Sequence, residues 1–162
     1  MKLQKIFQKK VGARMLRRGM NLWPPLFFAG IRIQSIADDF KQVWVKLNLS
    51  WYNRNYVGTQ FGGSLYAMTD PFYMLMLMKN LGHRYYVWDY DAKVEFLKPA
   101  AGAVYAQFLL DDATIISVVE ATKAGKKHVH RFTIEVKSCD SDVVVARVEK
   151  GIYVRLKPQY RP

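Results

Sequence analysis

The stretch NRNYVGTQFGGSLYAMTD, Asn53 to Asp70, sets two glycines and one carboxylate in an otherwise apolar run. Gly62 and Gly63 stand where a helix would begin. The first N–H groups of a helix have no partner inside it and carry its positive dipole end. They suit a carbonyl oxygen on which negative charge develops. Glycine, lacking a side chain, lets that oxygen come close. Asp70 follows eight residues after Gly62. With a reference pKa of about 3.9 it is ionised at neutral pH, and it can attack a carbonyl carbon or activate water.

One chain cannot bring these two groups to one bond. Eight helical residues at ~1.5 Å each separate them by ~12 Å. Two central helices lying antiparallel about a two-fold axis remove the difficulty, because Gly62 of one chain then approaches Asp70 of the other. The spacing therefore predicts a homodimer with two sites at its interface, with pairing into tetramers left open. Pro71, directly after Asp70, admits two readings. In one, Asp70 caps a new helical segment whose first residue is the proline; in the other, the break tilts the carboxylate toward the partner's cleft.

The elements around this stretch follow from periodicity. Gly62–Asn80 reads as a helix apolar on nearly every side, with FYMLMLM over 72–78, and such a helix must be enclosed. Val43, Val45, Leu47, Leu49 and Trp51 alternate with polar or outward positions, as in a half-buried strand. Ile31–Ile36 reads as an earlier strand. Alternation returns over 90–96, 104–110, 130–137 and 143–156, with Gly151 as a bulge or bend. A short helix over 113–122 ends near Gly125. One long helix among five or six strands predicts an α+β fold, a curved antiparallel sheet wrapped around the helix.

Composition narrows the function. Half of the 162 residues are hydrophobic, which excludes a disordered chain. Twenty-five basic against thirteen acidic residues give +12 and favour anionic partners. Seven of the basic residues lie within 1–20 and the first acid is Asp38. Residues 2–20 read as a basic amphipathic helix, either packed on its own domain or lying on an anionic membrane surface. No apolar run reaches the ~18 residues of a membrane span. Pro24 and Pro25 interrupt the only stretch resembling a secretory leader, so the cytoplasm is the expected location, with an Arg-rich transit segment the other reading. Cys139 stands alone and supports neither disulfide nor thiolate metal site. His83, His128 and His130 lack metal-ligand spacing. The charge and aromatics would suit nucleic acid, yet no recognition motif accompanies them, and none is expected as a partner.

Motifs and layout together resemble the hotdog-fold thioesterases, specifically the PaaI-like acyl-coenzyme A branch and its uncharacterised relatives (domains of unknown function). The pattern of that group reads Asn, Gly-Thr, His-Gly-Gly and an acid nine residues after the histidine. Here it reads Asn55, Gly58-Thr59, Phe61-Gly62-Gly63 and Asp70, and DAKVEFLKPAAG (91–102) is similar to the strand that ends in Lys/Arg-Pro-Ala and Gly. The resemblance spans about 28–155. It implies a hotdog domain (28–157), with the basic N-terminal helix and linker (1–27) outside the common core and a short tail (158–162) after it. It further implies hydrolysis of an acyl-coenzyme A thioester, with Asp70, Gly62 and Asn55 catalytic. Phe61, Gly63, Thr59 and Asp89 would line the substrate, and Lys126 and Lys127 would meet the coenzyme A phosphates. No metal or separate cofactor is expected, since coenzyme A arrives as part of the substrate. Phe61 replaces the group's histidine, which keeps a second reading open: a module that binds an acyl chain or lipid without turning it over.

Overall fold

In the computed structural model, residues 11–162 are described. The expected helix over 2–20 lies partly outside them. Its described part is α1 (Ala13–Leu22), which buries Ala13, Leu16 and Met20. This spacing matches one helical face. Trp23 and Pro24 end it, and a second short helix not expected from the sequence follows, α2 (Pro24–Ala29). Proline suits that helix's first turn, where its missing N–H would have no partner anyway. Gly30 closes α2 at φ 83°, a left-handed conformation that glycine adopts without strain.

Six strands form one antiparallel sheet in the order β1-β2-β4-β5-β6-β3. They are β1 (Ile31–Ile36), β2 (Gln42–Leu47), β3 (Tyr85–Phe96), β4 (Val104–Leu109), β5 (His128–Ser138) and β6 (Val144–Leu156). Alternation delivers the inward face. Val43, Val45 and Leu47 of β2 are buried, as are Ile134 and Val136 of β5 and Val148, Ile152 and Val154 of β6. β2 stops earlier than the pattern suggested. Trp51 is 82% exposed and lies in a turn, so its place in the alternation is coincidental.

The central apolar segment packs on the concave side as two helices, α3 (Gly62–Ala67) and α4 (Phe72–Leu81), parted by the turn that holds Asp70 and Pro71. Phe72, Met76 and Leu77 are at most 1% exposed. Phe72 and Tyr73 set their rings against Phe108 of β4, and Tyr73 also stacks on Phe132 of β5 at 3.8 Å between centroids. Met76 lies in this core, as the enclosed apolar helix requires. The connector helix α5 (Asp112–Thr122) starts where Asp111 accepts a 2.6 Å hydrogen bond from the Thr114 N–H. That is an N-cap.

β3 is the edge strand beside β6, twelve residues long, and among the described residues no strand covers its other side. Tyr86, Trp88, Tyr90 and Phe96 along it are 40–61% exposed. An uncovered edge of this length with aromatic side chains invites another strand. The opposite edge, β1, is half as long.

Candidate functional site

Asp70 does not cap α4. Among the described residues no side chain caps that helix, and the Asp70 carboxylate turns toward the sheet. Its partner is Lys150 of β6, whose Nζ lies 2.5 Å from Asp70 Oδ1. Tyr66 and Asp70 are four residues apart and share one side of the helical segment. The same ammonium donates to the Tyr66 hydroxyl at 3.2 Å. Thr69, fully buried, helps hold the turn through its hydroxyl, which donates to the Tyr66 carbonyl at 2.7 Å.

The second carboxylate is Asp89. Its Oδ1 stands 3.1 Å from Lys150 Nζ. The pair is ionic in distance but lies off hydrogen-bond alignment, leaving that buried oxygen without a hydrogen bond. A bulge in β3 sends Asp89 to this place. Asp89 pairs with Ile152 and Asp91 with Gly151, so Tyr90 is the extra residue. In a regular strand two residues apart share a face; a bulge breaks that rule. Asp89 therefore faces the helix with Lys150, while Asp91 faces outward and takes a two-pronged grip from Arg131 at 2.9 and 2.7 Å. Gly151 lies between Asp91 and Arg131 in the sheet. A Cβ at that position would meet the Asp91 carboxylate, which would have to shift in its grip on Arg131.

The electrostatics follow from burial and pairing. Lys150's side chain is 1% exposed, against 43% for Asp70 and 31% for Asp89. Burial alone would lower the lysine's pKa, but the hydrogen bonds to Asp70 and Tyr66 and the nearby Asp89 charge outweigh it and hold it above the ordinary lysine value. Asp89 is pushed above the usual carboxylate range, first by burial and then by the nearby Asp70 charge, which together exceed the pull of Lys150. Two acids and one ammonium thus form a cluster reached from solvent through Asp70.

Gly62 and Gly63 begin α3, and their N–H groups have no acceptor among the described residues. Aromatic rings flank them. A Cβ on Gly62 would stand 3.0 Å from Phe96 Cζ, and one on Gly63 would run into the Phe61 ring. Phe61 itself is half exposed. The preceding loop is held by Asn55, whose amide donates to Thr59 Oγ1 at 2.8 Å and the Gln60 carbonyl at 3.2 Å while its oxygen accepts from the Thr59 N–H. Both amide hydrogens of Asn55 are thus engaged with the loop, and Thr59 is its counterpart.

Position along β3 orders these groups. Gly62 lies at the level of Phe96. Asp70 lies at the level of Ala92, which pairs with Lys150. The two levels are four strand residues apart, ~13 Å. Lys126 and Lys127 sit just before His128, which pairs with Val154, itself opposite Val87. They lie toward the other end of the sheet, exposed. Within one chain, then, Asp70 and Asp89 come together, while Gly62, Gly63, Phe61 and the Asn55 loop form a separate group and the lysines a third.

The sequence reading missed Lys150. The signal was there: Val148, Lys150, Ile152, Val154 and Leu156 alternate with Glu149, Gly151, Tyr153 and Arg155, and a lysine on the apolar face of such a strand requires buried partners. Among the described residues no cluster of three or more His, Cys, Asp or Glu could hold a metal ion.

No curated protein matches the chain. Solved structures do. A Pseudomonas aeruginosa protein of unknown function, described as a probable thioesterase, superposes with a TM-score of 0.75 at 19% identity over 89% of this chain and 95% of the other. A Haemophilus influenzae thioesterase gives 0.66 at 13% identity over 92% and 94%. A further P. aeruginosa thioesterase gives 0.65 at 12% identity over 92% and 98%. At these identities the likeness concerns the fold, which is the hotdog architecture that the family resemblance implied. The model of the family described as a domain of unknown function, DUF4442, matches residues 12–154, and the chain belongs to that family.

Proposed function

We propose that this protein is an acyl-coenzyme A thioesterase with two sites across a homodimer interface. The observation that carries the reading is the Asp70 carboxylate, fixed by a buried lysine yet open to solvent, on the side of the fold bordered by the uncovered edge of β3. The thioesterase descriptions of the structural neighbours support it.

Pairing of β3 with its copy supplies the missing geometry. Antiparallel pairing in which Phe96 of one chain stands opposite Asp89–Ala92 of the other centres the dyad near Lys93. The unpaired Gly62 N–H of one protomer then comes level with Asp70 of its partner. Lys126 and Lys127 then extend past the partner's helix start, where a coenzyme A phosphate could meet them as point charges. Phe61 and Phe96 line the acyl side.

In the reaction, the thioester oxygen accepts from the Gly62 N–H, Gly63 keeps that approach open, and Asp70 takes a proton from water. The resulting hydroxide adds to the acyl carbon. Collapse breaks the carbon–sulfur bond, and the proton passes to sulfur, giving acid and free thiol. Lys150 orients Asp70 and stabilises its charge. Asp89 shares the ammonium and limits how fully it neutralises Asp70. Asn55 and Thr59 shape the loop that presents Gly62.

Thiol release from a panel of acyl-coenzyme A substrates tests this. Asp70→Asn should lower kcat by roughly two to four orders of magnitude. Equal rates for the two proteins on every thioester would end the proposal.

One observation favours the second reading, an acyl-binding module. Phe61, half exposed, gives an apolar wall at the position where the resembling enzymes carry histidine. Retention of an acyl ligand in native mass spectrometry without turnover would favour it. A protein that carries no acyl ligand and shows no thermal shift with acyl thioesters would exclude it.

A further inference from the structure

The corner made by α1, α2 and the adjoining loop has a surface that the thioester site does not use. The sheet side of α1 is apolar and buried. Its outer side carries Arg14, Met15, Arg18 and Leu22, all exposed, with Met15 at 61% and Leu22 at 73%. Spacings of three and four place them on one stripe. Trp23, Phe27 and Phe28 continue the exposed apolar surface around α2. Phe27 and Phe28 pack edge to face, and the Arg32 guanidinium covers the Phe27 ring at 4.5 Å. Asn53 fastens the neighbouring loop to this corner by donating to the Ala29 carbonyl at 2.9 Å. That loop holds Trp51 and Tyr52 exposed beside each other.

Exposed clusters of this kind mark binding surfaces, and the charge pattern indicates the partner. No acid occurs before Asp38, while seven lysines and arginines lie within residues 1–20. Tryptophan and phenylalanine set among arginines suit the boundary between lipid headgroups and acyl chains. The rings enter the apolar zone, and the arginine stems reach along it to the phosphates. We infer that this corner docks on an anionic bilayer surface, with α1 lying in the plane of the headgroups and Trp23 and Phe28 as its apolar anchors.

Co-sedimentation of the full chain with phosphatidylcholine–phosphatidylserine vesicles, and with phosphatidylcholine alone, tests this independently of catalysis. The chain should sediment with the anionic vesicles, and added salt should reduce the bound fraction. Trp23→Ser/Phe28→Ser should lower partitioning roughly tenfold or more, since the remaining charge alone anchors weakly. Arg14→Glu/Arg18→Glu should lower it by a similar factor, while Lys123→Glu, on α5–β5 connecting chain, should leave it near wild type. All these side chains are exposed, so unchanged circular dichroism is expected. Equal sedimentation with neutral and anionic vesicles would overturn the inference. So would anchor variants that keep full binding, or that instead change the oligomer mass, which would assign the face to a second copy of the chain.

Discussion

Lys150 Nζ stands 2.5 Å from Asp70 Oδ1, joining an ammonium sealed from solvent to a carboxylate that is 43% exposed. Strand and helix turn meet at this contact, with Asp89 on the ammonium's other side. The cation is what makes two neighbouring acids tolerable beneath α3. Its removal is therefore a sharper probe than removal of either acid.

Lys150→Met should destabilise the fold at neutral pH by about 1–3 kcal/mol, because Asp70 and Tyr66 lose their charged donor and the buried Asp89 oxygen loses its counter-charge. Urea unfolding measures it. The loss should shrink toward acid pH, where Asp89 takes up a proton, and adding Asp89→Asn should recover part of it. A variant as stable as wild type at pH 7 would show that the cluster contributes no net stability.

Asp89 yields a pH signature. Its pKa in the fold lies above the ordinary value of 3.8, chiefly through burial. A raised carboxylate favours the native state below its unfolded pKa, and that contribution disappears as pH rises through the folded value. Asp89→Asn removes the ionisable group. Its melting temperature should exceed that of wild type at pH 7 and converge with it below about pH 4. A gap that stays constant across that range would contradict the assignment.

The proposed dyad near Lys93 can be trapped. In a Cys139→Ser background, Lys93→Cys should oxidise to a disulfide-linked dimer, as the two copies would stand opposite each other across the axis. Lys126→Cys should remain monomeric on a non-reducing gel. Ready cross-linking at position 126 together with none at 93 would refute this pairing.

The aromatic layer between helix and sheet sets overall stability. Phe108 is fully buried against Phe72 and Tyr73. Phe108→Ala should cost about 3–5 kcal/mol in denaturant unfolding, with an unchanged m-value. A cost under about 1 kcal/mol would mean that the site collapses to fill the gap.

Much of this architecture could be read from residue order. Alternation in β2, β5 and β6 fixes which side chains face inward, because the strand period is two whatever the neighbours. The unbroken apolar character of 62–80 required a surrounding sheet, and Asp70 in that run stood out as the carboxylate to explain. The helix α2 was less legible, since six residues carry too little periodicity. Trp51 continued an alternation that its strand did not.

The partners of Asp70 belonged to tertiary structure alone. Asp89 and Asp91 look equivalent in the sequence, two apart on a strand. Only the register shift against β6 places one beside Lys150 and the other beside Arg131. Lys150 is eighty residues from Asp70, and no local pattern encodes that distance. Hydrophobic period is a property of each segment by itself, so it survives in the sequence. Where a buried charge finds its counter-charge depends on how strands pair and where one bulges, and that is settled only when the sheet closes around the helix.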